Sequence, residues 1–279
     1  MKHIEGHFVS RDNLSLYLQG WEVEDNPKAV VGLVHGLGEH SDRYYHVAEA
    51  LNNAGYSLVG FDLRGHGKSE GQRGHFPTID HMIADIDDFF HQVSEKYPDY
   101  PRFLYAHSLG GMLALNFLIS CKPVLLGAVI SAPGLRSSLQ DSKMKVLVAT
   151  YGAMLLPKLS IKSELDPYGL SHDKDVVKAY IDDPLVHDLI TFSSARSMLE
   201  GINRVFSHAS EIQTPMLVMH GKDDKIVYPS GSQELCNLIK GDCTLKLWDG
   251  LFHEIHNEPQ KDEVIQFMID WMDSHLSPG

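Results

Sequence analysis

The stretch Phe103-Leu104-Tyr105-Ala106-His107-Ser108-Leu109-Gly110-Gly111 decides how the rest of the chain is read. Phe103 to Ala106 is a short apolar run, the mark of a strand buried on both faces. Gly110 to Ile119 is spaced as a helix. A serine caught between a strand and a helix stands on a sharp turn with its hydroxyl presented outward, which is the geometry of a nucleophile elbow. In so tight a turn helix and strand nearly touch, so the positions two before and two after the serine must be small. Here they are Ala106 and Gly110, with alanine where the G-x-S-x-G pattern has its first glycine. Ser108 is the candidate nucleophile, but serine also begins helices simply as a cap, so the reading needs partners elsewhere.

Outward from that turn, further strand-like runs stand at Ala29 to Val34, Tyr56 to Phe61, Leu125 to Ser131, Met216 to Met219 and Thr244 to Trp248. Helix-period stretches lie between them, at Asp42 to Asn52, Ile79 to Lys96, Ser232 to Ile239 and Lys261 to His275. This alternation predicts an α/β fold with a mostly parallel central sheet flanked by helices. Phe8 to Ser10 and Leu14 to Tyr17, joined by Arg11-Asp12-Asn13, predict a leading antiparallel hairpin. The alternation stops after Pro133-Gly134 and resumes at Thr214-Pro215, a gap too long for an ordinary connection. The expected organisation is therefore a core of residues 1–134 and 211–279 with residues 135–210 inserted. Within the insertion, Val146 to Leu156 is apolar on nearly every side, as a helix is when it is buried or when it meets lipid. Both readings stay open.

A serine nucleophile needs a general base and a carboxylate to orient it, following in the order acid, then histidine. After Met216 to Met219 comes His220-Gly221-Lys222-Asp223-Asp224, which places a carboxylate at a strand's carboxyl end, where α/β sites are built. Asp223 and Asp224 both qualify by position. His253 follows the last strand and is the candidate base, while His256, three residues on, is read as a supporting or surface residue. Two backbone N–H groups must also face the developing oxyanion. Leu109, next after the serine, supplies one, and Leu37, in the glycine-bearing loop His35-Gly36-Leu37-Gly38, supplies the other.

Four segments occur together and in order: Val34-His35-Gly36-Leu37-Gly38-Glu39-His40-Ser41, Phe61-Asp62-Leu63-Arg64-Gly65-His66-Gly67-Lys68-Ser69, Ala106-His107-Ser108-Leu109-Gly110-Gly111 and Gly221-Lys222-Asp223-Asp224. With them the chain resembles the monoacylglycerol lipases of the α/β-hydrolase superfamily over nearly its whole length. The resemblance implies the α/β-hydrolase fold, the triad Ser108, Asp224 and His253, with Asp224 chosen over Asp223, and the oxyanion donors Leu37 and Leu109. It also implies that residues 135–210 form a helical cap over an acyl tunnel, and that the reaction is cleavage of a long-chain monoacylglycerol ester with no metal or organic cofactor. Lysophospholipase or another carboxylesterase or thioesterase activity is the alternative, and a non-catalytic lipid-binding protein on the same fold is the alternative of another class.

Composition narrows the partners. The 279 residues are 43% hydrophobic, enough for a core without metal or disulfide staples. A formal charge of −13 repels phosphate backbones and excludes nucleic acid as a partner. Cys121, Cys236 and Cys243 are odd in number and form no C-x-x-C, so no disulfide framework and no thiolate zinc site is expected. No apolar run approaches membrane-spanning length, and the expectation is a soluble cytoplasmic protein. Lys143, Lys145, Lys158 and Lys162 flank the greasy segment and are read either as solubilising or as drawing it to a membrane surface. Gly67-Lys68-Ser69 has Asp62 where a phosphate-binding loop needs glycine, and His253-Glu254-Ile255-His256 has Asn257 where a zinc helix needs histidine. His35, Arg64 and His66 are read as packing and loop-ordering residues.

Overall fold

The computed structural model describes residues 1–138, 142–163 and 165–276. The chain opens with the hairpin β1 (Lys2–Val9) and β2 (Ser15–Glu22), turning at Asn13 with φ 68°. Both strands run further than expected, because β1 is a sheet edge whose polar residues face water and leave no apolar run to read. Then β3 (Ala29–Val34), α1 (Tyr45–Asn53), β4 (Tyr56–Phe61), α2 (Ile79–Lys96), β5 (Arg102–His107), α3 (Leu109–Cys121) and β6 (Gly127–Ser131) alternate as the sequence predicts. The next elements are α4 (Lys143–Leu155), β7 (Ser160–Lys162), α5 (Lys174–Asp182), β8 (Leu189–Thr191) and α6 (Phe192–His208). The core pattern returns with β9 (Met216–Gly221), α7 (Pro229–Leu238), β10 (Cys243–Trp248) and α8 (Lys261–Ser274).

The main sheet has the order β1-β2-β4-β3-β5-β6-β9-β10, parallel from β4 to β10 and antiparallel where the hairpin joins it. Both β3 and β4 are buried at every residue. The alternate sides of β3 serve two cores: Val30 and Val34 pack with α2 and α3, while Val31 and Leu33 pack with α1 and α8. Helix α2 buries Ile79, Met82, Ile83, Ile86, Phe89, Phe90 and Val93, one face at helical spacing.

Strand order reverses at β3, which pairs with β4 on one side and β5 on the other. Loops leaving the carboxyl ends of β3 and β5 therefore part company there and open a crevice, the usual binding place in such sheets. Val34 is opposite Ala106 in the register, so the glycine-bearing loop after β3 and the Ser108 turn leave the sheet side by side.

Residues 139–141 and 164 of the expected insertion lie outside the described residues. The remainder forms α4, α5, α6 and the antiparallel ribbon β7–β8, which the sequence reading did not anticipate. It rests on the core through main-chain bonds, His187 N–H to Gly38 O at 2.9 Å and Thr191 N–H to Gly74 O at 3.2 Å. A Cβ on Gly38 would overlap the His187 carbonyl oxygen, and one on Gly74 that of Leu189. Helix α4 turns most of its apolar surface outward: of its residues only Ala149 is buried. Among the described residues no helix is long and apolar enough to cross a membrane.

One expectation is corrected. Cys236 and Cys243 are joined in a disulfide, with Cα atoms 5.9 Å apart, leaving Cys121 as a free, exposed cysteine. The end of α7 turns directly into β10, and this local return brings together two cysteines whose count and spacing gave no sign of pairing.

Candidate active site

Ser108 joins β5 to α3 with φ 54° and ψ −119°, in the left-handed half of φ that a side chain disfavours. Main-chain bonds hold the turn: Ser108 N–H donates to Ser131 O at 3.0 Å, and Gly134 N–H donates to Ser108 O at 2.9 Å. The crowding argued from sequence is visible at Gly110, where a Cβ would overlap the carbonyl oxygens of Val34 and His35. Ala106 is fully buried in the sheet, so the methyl that departs from the glycine pattern packs into the core.

His253 follows β10 and is buried against the serine. Its Nε2 lies 2.9 Å from Ser108 Oγ and its Nδ1 lies 2.6 Å from Asp224 Oδ2. A carboxylate facing Nδ1 fixes the proton there, leaving the Nε2 lone pair to accept from the Ser108 hydroxyl. Asp224 stands on the loop after β9 and is buried, whereas Asp223 is exposed. Both oxygens of Asp224 are in use. Oδ1 accepts from the N–H groups of Ile226 at 2.8 Å and Val227 at 3.0 Å, and Oδ2 accepts also from His220 Nε2 at 3.0 Å. Val227 O lies 3.0 Å from the same His220 nitrogen, so two acceptors require its proton at Nε2, and Nδ1 accepts from the Ser232 hydroxyl at 2.7 Å.

Burial alone would push the Asp224 carboxyl pKa up; the two histidines outweigh it and hold the group below the usual carboxylate range. Burial would likewise push the His253 pKa down, and the Asp224 carboxylate reverses this, leaving it above the ordinary histidine value. The imidazolium that forms when His253 takes a proton is thus stabilised where it is needed.

Leu37 and Leu109 both line the space above Ser108. Neither N–H donates to an acceptor among the described residues. A Cβ placed on Gly36 would come 3.2 Å from Ser108 Cβ, which shows how closely this loop passes the serine. Helix α3 begins at Leu109, so its N-terminal dipole points at the same spot.

Ser108 opens into a cavity of about 620 Å³. Val148, Ile190, Phe192, Ala195, Met198 and Ile202, from elements between β6 and β9, supply its apolar wall together with Leu37, Ile226, Val227 and Phe252 from loops of the core. Ser137, Ser138, Asp166, Asp223 and Lys225 add polar groups.

His256 is buried rather than on the surface, stacked on Tyr44 at 4.9 Å, and burial pushes its pKa down to about 3. His35 bridges Gly36 O at 2.8 Å and the Leu63 N–H at 2.9 Å, and Arg64 is clamped between Asp85 and Asp12, so both order loops. Among the described residues no group of three or more His, Cys, Asp or Glu side chains is placed to hold a metal ion. The sequence reading passed over His220 and the buried charges Glu39, Arg43 and Glu254. The spacing Glu39 to Arg43 and the position of Glu254 beside His253 were the available signals.

Residues 25–260 match the family model described as serine aminopeptidase, S33. The chain is 30% identical to a monoacylglycerol lipase of Mycolicibacterium smegmatis, with 98% of each covered. It is 34% identical to an uncharacterised abhydrolase domain-containing protein of Dictyostelium discoideum, covering 97% of this chain and 29% of that longer one. The crystal structure of the Paleococcus ferrophilus monoacylglycerol lipase superposes with a TM-score of 0.84 at 33% identity, covering 99% and 100% of the two chains. The architecture is the α/β-hydrolase fold.

Proposed function

The chain belongs to the serine aminopeptidase S33 family of hydrolases, and from that premise we propose that it is a serine esterase that splits long-chain monoacylglycerols into fatty acid and glycerol. Ser108 Oγ attacks the ester carbonyl carbon as its proton passes to His253 Nε2, while Asp224 holds the imidazole and its charge. The carbonyl oxygen becomes an oxyanion facing the Leu37 and Leu109 N–H groups. When the intermediate collapses, His253 gives its proton to the departing glycerol oxygen and the acyl group stays on Ser108. Water then adds to the acyl carbon, losing its proton to His253, and the fatty acid leaves as Ser108 regains its hydrogen.

The observation that carries this reading is the Ser108–His253–Asp224 line opening into an apolar cavity. At about 620 Å³ the cavity is in the range of roughly 300–1,000 Å³ that encloses one small ligand, so it suits one acyl chain and a small head rather than three chains. Its charged lining mixes Lys145, Lys162 and Lys225 with Asp166 and Asp223, and includes no arginine among the described residues. That mixture makes no bidentate clamp for a phosphate and favours a neutral head. The relatives named monoacylglycerol lipase, similar along the whole chain, support the same substrate.

Residues 135–210 act in this reading as a cap. Helix α4 exposes Met144, Leu147, Tyr151, Met154 and Leu155, with Lys143 and Lys158 exposed at its two ends. An apolar face flanked by lysines suits the surface of a lipid bilayer, from which the substrate would enter. Fatty-acid release from monoacylglycerol, lysophospholipid and triacylglycerol, with wild type and Ser108→Ala, tests the proposal. Release from monoacylglycerol, lost in the variant, is expected. Turnover of lysophospholipid instead would overturn the leaving group and keep the triad, and no turnover at all would favour a lipid-binding protein.

A further inference from the structure

Three charged side chains buried behind the triad belong to no step above. Arg43, Glu39 and Glu254 expose 9%, 3% and 3% of their side chains. Glu39 Oε1 accepts from the Gly36 N–H at 2.6 Å and from the Tyr44 hydroxyl at 2.8 Å, which grips the loop carrying Leu37. Glu39 Oε2 accepts from Arg43 Nη1 at 2.7 Å. The same guanidinium forks onto Glu254, Nη1 to Oε1 at 2.7 Å and Nη2 to Oε2 at 2.8 Å. Glu254 is the residue after His253, and its N–H donates to Leu170 O at 2.8 Å. Arg43 also lies 4.7 Å from the ring centroid of Tyr180 in α5. One guanidinium therefore touches the oxyanion loop, the base loop and the insertion.

Burying two carboxylates on one guanidinium gains little stability over an apolar cluster of the same shape. What the planar fork does supply is fixed geometry. We propose that Arg43 is a positioning residue, whose fork across Glu39 and Glu254 sets the distance between the Leu37 N–H and the His253 imidazole for acylation of Ser108, and seats the insertion through Tyr180. This rests on the esterase reading of Ser108 and His253.

The arrangement has an electrostatic signature as well. His253 is faced by Asp224 from the loop after β9, with His220 of β9 behind it, by His107 from β5, by Glu39 and its partner Arg43 from the segment after β3, and by Glu254 and His256 from its own loop. Both Glu39 and Glu254 add negative charge that favours its protonated form.

The test measures the rate at which a fluorophosphonate labels Ser108, and the pH dependence of kcat/KM on a soluble short-chain ester, for wild type, Arg43→Lys and Glu254→Gln, with a thermal melt of each. Arg43→Lys keeps the charge and loses the fork. Labelling and kcat are expected to fall about tenfold or more, with KM changed less than about twofold and the acid limb unmoved. Glu254→Gln leaves Arg43 paired with Glu39 and removes one negative neighbour of His253, so the acid limb is expected to move to lower pH. Wild-type labelling in Arg43→Lys, or a loss that vanishes when divided by the folded fraction, overturns the proposal. Wild-type labelling in Glu254→Gln, which also loses the two-bond fork, does the same. If wild type itself fails to label, the esterase reading falls instead.

Discussion

Helices α3 and α4 are each 13 residues long and predominantly apolar, yet they live in opposite surroundings. In α3 every residue from Leu109 to Ile119 is buried, between the sheet and the helices packed on it. In α4 only Ala149 is buried, and Met144, Leu147, Tyr151, Met154 and Leu155 are each more than half exposed. An apolar helix records that something must cover it. The core covers α3; α4 is left open, and that open face is what the proposed approach to a lipid surface would use.

The contrast can be broken most decisively at the start of α3. Ser108→Ala should reduce ester hydrolysis about ten-thousand-fold or more while leaving the melting temperature nearly unchanged, since only the hydroxyl is lost. Deeper in the same helix, Leu115→Ala removes a fully buried side chain and should cost about 2–5 kcal/mol in denaturant unfolding. Activity should also fall in acid. His253 must be neutral to accept the serine proton, and its pKa lies above the ordinary histidine value, so kcat/KM should begin to drop before pH reaches about 6.5 on the way down. A flat profile through that region would contradict its role as base. The smallest change in stability belongs to α4. The double substitution Leu147→Glu with Met154→Glu should alter unfolding free energy by less than about 0.5 kcal/mol per site. The same variant should lose about tenfold in turnover of monoacylglycerol in anionic vesicles and little with a soluble ester. Equal losses on both substrates would mean that α4 is a structural part of the cavity and nothing more.

The two helices also mark where sequence reading works. Strands β3 and β4 and helix α2 stand at the residues their patterns predict, because a strand buried on both faces leaves a short unbroken apolar run and a one-sided helix leaves a helical period. Helix α4 has no dominant face, so the same letters serve a buried helix and an exposed one, and only its neighbours decide. The order of Ser108, the acid loop and His253 was legible because function places them at strand ends. The choice between Asp223 and Asp224 was not legible from the residues themselves; it lay in which carboxylate the turn after β9 points inward. Glu39, Arg43 and Glu254 stayed hidden for a related reason, since charged residues are read as surface until a fold is seen to bury them together. The Cys236–Cys243 bridge escaped because two cysteines seven apart become neighbours only when α7 hands over to β10.

The seam between residues 135–210 and the core combines main-chain bonds at Gly38 and Gly74 with side-chain bonds, among them His40 Nε2 with Asp183 Oδ2 at 2.9 Å and the Phe76 N–H to Ser194 Oγ at 2.8 Å. Such a joint constrains both sides, the glycines on the core and the polar partners on the overlying segment. A segment exchanged for this one would therefore have to bring matching polar partners as well as lay its backbone over the two glycines.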